Sequence, residues 1–147
     1  MMKITNRIAT EQDIESILNI YLNSNLDKNI LDVESAQSIF KKIAQYPDYK
    51  FYIVEADNQP IGTFALLIMD NIGHLGTPAA VVEDVAVIAE YQGKGIGKMM
   101  METAMQIAKQ KSCYKLTLSS NLRREAAHAF YESLGFTKHG YSFLIEF

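Results

Sequence analysis

Several features that would assign this chain to a common class of protein are missing from its sequence. Cys113 is the single cysteine, so no internal disulfide can form, and we expect a reducing, cytoplasmic location. No apolar run approaches the roughly 18–20 residues that span a bilayer, and the first ten residues lack the apolar centre of a signal peptide. We therefore expect no membrane association. The net charge of −3 gives no indication of a nucleic-acid surface.

Motifs for metal binding and for nucleophilic hydrolysis are also missing. The three histidines are not spaced as metal ligands and no Cys/His cluster exists, so we predict that no metal is bound. There is no G-x-S-x-G elbow of the kind that carries a nucleophilic serine. The chain also lacks repeats, low-complexity tracts and linkers. Its 147 residues, 48% of them apolar, are therefore predicted to form a single domain, residues 1–147.

The periodicity of apolar residues predicts alternating strands and helices. This order favours an α/β sandwich with a mixed sheet, in which the unit around residues 81–119 is a parallel strand–helix–strand crossover. The predicted elements are a strand at 3–9, a helix from 10 to 22, a helix from 33 that ends before Pro47, a hairpin of strands 50–56 and 61–69, a strand at 81–88, a helix at 97–111, a strand at 114–119, a helix at 125–134, and final strands at 135–136 and 141–147.

The most informative stretch is a glycine-rich turn between the strand at 81–88 and the helix that follows. Its sequence is Gln92-Gly93-Lys94-Gly95-Ile96-Gly97. Glycines let the backbone approach a ligand closely, and the first amides of a helix are unpaired and electropositive, so the turn suits a phosphate group. The P-loop spacing is missed by one residue and its hydroxyl is absent, and the dinucleotide pattern G-x-G-x-x-G fails at its third glycine. Both of those alternatives are rejected.

Two segments resemble motifs of the GNAT superfamily of N-acetyltransferases. Gln92-x-x-Gly95-x-Gly97 resembles motif A, and Phe130-Tyr131-x-x-x-Gly135-Phe136 resembles motif B. The resemblance covers residues 50–147 and implies a three-layer α/β sandwich whose mixed sheet is mostly antiparallel. It also implies acetyl-CoA as cosubstrate and transfer of the acetyl group to a primary amine by direct attack in a ternary complex.

The same resemblance implies a set of cofactor-binding residues on the central strand, on the turn and on the later helix. Arg124 stands where many family members carry an asparagine that touches the pantetheine arm. Lys94 and Lys98 are candidates for phosphate contacts, or are solvated surface charges. The implied cofactor-binding residues are Val85, Ala86, Val87, Gln92, Gly93, Lys94, Gly95, Ile96, Gly97, Lys98, Arg124 and Tyr131.

Two residues are candidates for catalysis. Tyr131 is the candidate proton donor to the leaving thiolate, because a phenol pKa near 10 matches that of an alkyl thiol. Glu83 is the candidate base, acting through a water, because a carboxylate on an apolar strand is costly unless it is paired or lines a cavity. Side chains alternate along a strand, so Glu83 and Asp84 share a face only if a bulge intervenes. The alternatives are that Tyr131 packs on the sheet with its hydroxyl bonded to the backbone, that Glu83 is a surface or salt-bridged carboxylate, and that the amine is deprotonated by bulk water.

The acceptor and the partners are less well defined by the sequence. We expect a small-molecule or peptide amine as acceptor. Glu83-Asp84-Val85 resembles the corresponding segment of glucosamine-6-phosphate N-acetyltransferases, although no sugar-phosphate site is recognisable. The alternatives are a non-catalytic acyl-CoA-binding domain, or an unrelated fold with a coincidental turn. The alternating aromatic and apolar residues of 141–147 suit either a homodimer interface or a buried strand, and the roles of His74 and His128 stay open.

Overall fold

The computed structural model describes all 147 residues and divides into two compact units. The first contains Met1–Thr117 and the second Leu118–Phe147. The sheet, three of the four helices and the glycine-rich turn belong to the first unit. Neither unit contains a helix that is long and apolar enough to cross a membrane. The prediction of one domain stays a prediction, and the two units are described separately below.

The first unit is built on a five-stranded sheet in the order β1-β2-β3-β4-β5. Neighbouring strands from β1 to β4 are antiparallel, and β4 pairs with β5 in parallel. The mixed sheet and its parallel strand–helix–strand unit are those predicted from the order of elements, and the mostly antiparallel pairing is that implied by the family resemblance. The strands are β1 (Ile4–Ile8), β2 (Tyr49–Ala56), β3 (Gln59–Met69), β4 (Ala79–Val87) and β5 (Leu116–Thr117).

Helices cover both faces of this sheet. Helices α1 (Ile14–Asn23) and α2 (Val33–Ile43) precede β2, and α3 (Ile96–Gln110) connects β4 to β5. On one face, Ile17 of α1 packs with Ile53 of β2 in a buried cluster. The neighbouring residue Val54 points to the opposite face, as strand alternation requires. Met100 of α3 lies on that side, with its sulfur 3.5 Å from where a Cβ on Gly62 would be.

The buried faces of α1 and α3 follow the apolar periodicity of the sequence. In α1, Ile14, Ile17 and Leu18 are buried, and in α3 Met100 and Met101 are fully buried. Three methionines in a row therefore include two that fill the core, as long flexible apolar side chains do in irregular spaces. In the helix predicted from residue 33, the apolar pattern places Ile39 on the inward face, but Ile39 of α2 is 43% exposed. The incomplete packing of α2 leaves the cavity described below.

The second unit contains one helix, α4 (Glu125–Ser133), and no strand. The final strands predicted at 135–136 and 141–147 are therefore wrong, and the strand predicted at 114–119 is only the two residues of β5. The apolar side chains of residues 141–147, including Phe143 at 95%, are exposed rather than paired. The alternating pattern alone does not order this segment, because a strand needs a partner for its backbone groups. A homodimer through this segment stays a prediction.

Candidate active site

Strand β4 contains a bulge at the acidic pair. Thr63 of β3 pairs with Ala86 and Ala65 pairs with Glu83, so Asp84 and Val85 together face the single residue between them. Asp84 adopts a left-handed conformation with φ +51°. Aspartate tolerates that region better than most residues because its short side chain can bond locally. The Glu83-Asp84 pair can therefore occupy a bulge, a feature that the alternation of side chains along a strand does not by itself predict.

The bulge gives the two carboxylates a shared environment. Glu83 pairs with Ala65, and Ala86 pairs with Thr63. Ala65 and Thr63 are two residues apart on β3 and therefore lie on the same face of the sheet, where Ala86 packs against α1. Glu83 and Ala86 therefore lie on the α1 face although they are three residues apart. Neither Glu83 nor Asp84 forms an ion pair. Partial burial raises the pKa of Glu83, and the negative charge of Asp84 raises that pKa further.

One edge of β4 is largely free of strand pairing. Strand β5 pairs with β4 only at Ala80 and Val81, so Val82–Val87 have no strand partner on that side. Backbone groups on such an edge are available to an extended ligand, which binds there as an added strand would. The three residues predicted to contact the cofactor from this strand, Val85, Ala86 and Val87, all lie within the free stretch. The geometry of β4 agrees with that prediction without testing it.

The glycine-rich turn follows β4 after one short 3-10 turn, Ala89–Tyr91. Gly93 has φ +73° and Gly95 has φ +83°, a region that favours glycine, and Gly95 is the N-cap of α3. The helix begins at Ile96, one residue earlier than predicted. A Cβ placed on either glycine would meet no protein atom within 4 Å. The outer surface of the turn is therefore open.

The amides of this turn are free. None of the backbone N–H groups of Gly93–Lys98 donates a hydrogen bond to a backbone carbonyl, and the first such bond of the helix is from Met99 N to Gly95 O at 3.2 Å. Six consecutive unpaired donors at the positive end of a 15-residue helix form a binding surface for an anion with several oxygens. A diphosphate has the charge and the acceptors to satisfy them.

The three polar side chains of the turn have defined contacts. Gln92 Nε2 donates to Val87 O at 2.9 Å, so the motif glutamine ties the turn back to the end of β4. Lys94 Nζ lies 5.2 Å from the centre of the Tyr91 ring. Lys98 Nζ is 3.9 Å from a Glu102 carboxylate oxygen, one helical turn away. Both lysines are exposed at the turn, and a phosphate contact by either stays a prediction.

In the second unit, Tyr131 lies on α4 between two aromatic rings. Its ring centre is 5.3 Å from that of Phe130 and 5.8 Å from that of Phe136, which meets it edge-on. Burial raises the pKa of the Tyr131 phenol, against a smaller opposing effect of Arg124, so the hydroxyl stays protonated at neutral pH. Arg124 precedes the helix as its N-cap residue.

The two histidines left open by the sequence have structural contacts. His128 Nε2 lies 2.8 Å from Asn121 O, so its ring N–H donates to the loop that begins α4. His74 stacks on Tyr114 with ring centres 4.2 Å apart in the first unit. No group of three or more metal-ligating side chains is assembled in either unit. The histidines therefore order loops in this structure.

Sequence reasoning missed one part of this region, an apolar cavity on the α1 face of the sheet. It has a volume of about 260 Å³ and lies between α1, α2 and the strands. Asp84 lines it, together with Tyr21 and Tyr49. The one signal in the sequence is Asp84, the second acidic residue of the pair, whereas Glu83 was preferred as the candidate base. The cavity itself depends on the separation of α1 and α2, for which a single sequence carries no pattern.

The sheet is a mixed α/β sheet in which β4 leads through a free amide array into α3, an arrangement that suits a diphosphate group. The family model described as "Acetyltransferase (GNAT) family" matches residues 14–136. The chain belongs to this family, which confirms the resemblance of its two motifs and its assignment as an acyltransferase.

Three known proteins show how near the similarity is. A glucosamine 6-phosphate N-acetyltransferase of Trypanosoma brucei brucei is 30% identical over 111 residues, which are 76% of this chain and 68% of that protein. N-alpha-acetyltransferase 30 of Schizosaccharomyces pombe is 26% identical over 66% of this chain and 63% of its own length. A solved structure named as a "putative acetyltransferase" from Agrobacterium tumefaciens has a TM-score of 0.90 at 28% identity, covering 97% of this chain and 99% of that one.

Proposed function

We propose that this protein transfers the acetyl group of acetyl-CoA to a primary amine of a small molecule or peptide. The observation that carries the proposal is the array of six unpaired amides from Gly93 to Lys98 at the start of α3. Membership of the GNAT family supports the same conclusion. An array of this kind binds the diphosphate of CoA without any basic side chain, because the amides and the helix dipole supply the positive charge.

The residues present fit acetyl-CoA along its length. The amides of Gly93–Lys98 would hold the diphosphate, and the free edge of Val82–Val87 would bind the extended pantetheine arm. The cosubstrate supplies an acetyl group activated as a thioester. The chain supplies position, because holding the two reactants in line converts a bimolecular reaction into an effectively unimolecular one.

We assign the proton transfers to Glu83 and Tyr131. During transfer a bond forms between the amine nitrogen and the acetyl carbon as the carbon–sulfur bond breaks. The amine must lose one proton, and Glu83 takes it through a water, which its raised pKa favours. The departing sulfur must gain one proton, and Tyr131 donates it because its phenol stays protonated at neutral pH. A main-chain N–H near Val85 is our candidate donor to the acetyl oxygen.

The alternative function is a domain that binds acyl-CoA without turning it over. The amide array and the free strand edge would serve both functions equally. Glu83, an exposed carboxylate without an ion-pair partner, and Tyr131, a protonated phenol, favour an enzyme, since a sensor has no need of either.

A ligand titration followed by a turnover assay tests the proposal. We expect CoA to raise the melting temperature, whereas pantetheine, which lacks the diphosphate, should raise it little at equal concentration. Acetyl-CoA consumption with a panel of primary amines should then be acceptor-dependent, with initial-rate lines that intersect as a ternary complex requires. Absence of any effect of CoA would refute the proposal, and CoA binding without turnover of any amine would favour the non-catalytic alternative.

A further inference from the structure

The cavity between α1, α2 and the sheet has an unusual lining for a sugar or phosphate site. Its walls are aliphatic and aromatic, and Asp84 is its only charged residue. No lysine or arginine lines it. The lining residues are Ile14, Ile17, Leu18, Tyr21, Leu31, Ala36, Ile39, Phe40, Ile43, Tyr49, Phe51 and Asp84.

The position of Asp84 gives the cavity one polar end. The bulge that turns Asp84 toward the α1 face also carries Glu83, so the cavity ends beside the candidate base. Tyr21 and Tyr49 line the same cavity as Asp84. Burial raises the pKa of both phenols, and the charge of Asp84 raises it further. Asp84 has no ion-pair partner in the protein. A cation between the carboxylate and the aromatic rings would satisfy both.

We propose that this cavity binds the acceptor, and that the acceptor is a small primary amine carrying an apolar group, such as an arylalkyl or branched alkyl amine. Its amine would enter as an ammonium paired with Asp84, while its apolar group fills the space between α1 and α2. The ammonium must first release one proton to solvent, because only the neutral amine has the lone pair that attacks, and the second proton then leaves through Glu83. This inference rests on the proposed function, because it names the acceptor of the same reaction. The volume of about 260 Å³ lies at the lower end of ligand pockets and suits a compact molecule.

The same lining argues against the acceptor of the Trypanosoma relative. A sugar phosphate requires cations or several amides for its phosphate and hydrogen-bond partners for its hydroxyls. The cavity offers one carboxylate, which would repel a phosphate, and apolar walls that would leave hydroxyls unpaired. The similarity to this relative is 30% identity over 111 residues, and the chemistry of the cavity indicates a different acceptor.

Direct binding of four probes, measured calorimetrically without acetyl-CoA, tests the inference separately from catalysis. The probes are 2-phenylethylamine, 2-phenylethanol, ethanolamine and glucosamine 6-phosphate. We expect 2-phenylethylamine to bind at least tenfold more tightly than each of the others, because it alone combines the cation and the apolar group. A preference for ethanolamine or glucosamine 6-phosphate, or no binding by any probe, would overturn the inference.

Two variants with matched controls locate the site. Asp84→Asn keeps a side chain that tolerates positive φ and removes the charge, so we expect about tenfold weaker binding of 2-phenylethylamine and none of that change for 2-phenylethanol. Ala36→Phe fills the cavity and should abolish binding of both probes. Asp70→Asn and Ser38→Phe, at exposed positions outside the lining, should bind like the wild type.

The outcomes of the two variants are independent of each other. If Ala36→Phe fails to fold, as its melting curve would show, Asp84→Asn still decides the matter. Unchanged affinity of Asp84→Asn for 2-phenylethylamine contradicts the assignment. If 2-phenylethylamine binds but is not acetylated while another amine of the panel is, the assignment of the cavity as the acceptor site is overturned. If 2-phenylethylamine binds and no amine is acetylated, the proposed transferase function fails.

Discussion

The left-handed glycine that caps α3 gives the sharpest prediction. Gly95 has φ +83° and no protein atom within 4 Å of a would-be Cβ, so Gly95→Ala adds backbone strain and no clash. A non-glycine residue in this conformation costs roughly 1–2 kcal/mol. For a chain of this size, that cost should lower the melting temperature by roughly 2–8 °C. Partial relief of the strain would rotate the amide of Ile96 away from a bound diphosphate.

The effect on CoA follows from the loss of a charge-assisted hydrogen bond. Such a bond contributes about 1.5–3 kcal/mol, so losing one donor should weaken CoA binding roughly 10- to 150-fold. Gly76→Ala is the matched control, because Gly76 has φ +74° and lies in the loop before β4, and a Cβ there would meet only the Asn71 carbonyl oxygen, at an ordinary contact distance of 3.8 Å. It should lose similar stability and keep its affinity for CoA in a calorimetric titration. The reasoning is refuted if Gly95→Ala binds CoA within twofold of the wild type, or if Gly76→Ala weakens binding equally.

Three further predictions concern protons. Tyr131→Phe should lower kcat at least tenfold with little change in the dissociation constant of acetyl-CoA; unchanged turnover would remove Tyr131 from the mechanism. Glu83→Gln should lower kcat/KM about 100-fold and abolish the acidic limb of the pH–rate profile, which in the wild type falls below a raised Glu83 pKa; a retained limb would exclude Glu83 as the base. Asp13 accepts from Arg7 at 2.8 Å and from the Thr10 amide at 2.7 Å, contacts that hold its pKa down. Its contribution to stability is therefore complete above about pH 4 and lost as pH falls through the depressed pKa. Asp13→Ala should lose roughly 2–3 kcal/mol in urea unfolding at pH 7, and less as the pH falls through the depressed pKa of Asp13, whereas Asp70→Ala should lose almost nothing; equal losses would contradict the assignment.

Local patterns predicted most of the first unit. The turn chemistry between β4 and α3 depends on glycines at fixed positions, and the buried faces of α1 and α3 depend on a period of 3.6 residues. Both signals are contained in short stretches of sequence. The structure accordingly has β4 at Ala79–Val87 and α3 at Ile96–Gln110, within about two residues of the predicted bounds.

Features that depend on distant residues were not predictable in the same way. The bulge in β4 is a property of its register with β3, and the sequence of one strand does not specify which residues of the neighbouring strand it pairs with. The exposure of Ile39 depends on how far α2 lies from the sheet. Residues 141–147 have the alternating pattern of a strand but form no strand. The pattern indicates which face of a strand would be buried, and it does not specify the neighbouring strand with which the segment would pair.

The short side-chain link from Gln92 to the carbonyl of Val87 has a consequence for how acceptors change over time. It ties the amide array that we propose to bind the diphosphate to the end of β4, and the acidic pair lies at the middle of the same strand, so the spacing between them is set by backbone alone. Substitutions in α1 and α2, which line the cavity, should then change which amine is preferred without changing the affinity for acetyl-CoA. A chain built in this way lends itself to directed evolution of new acceptors, with libraries confined to those two helices.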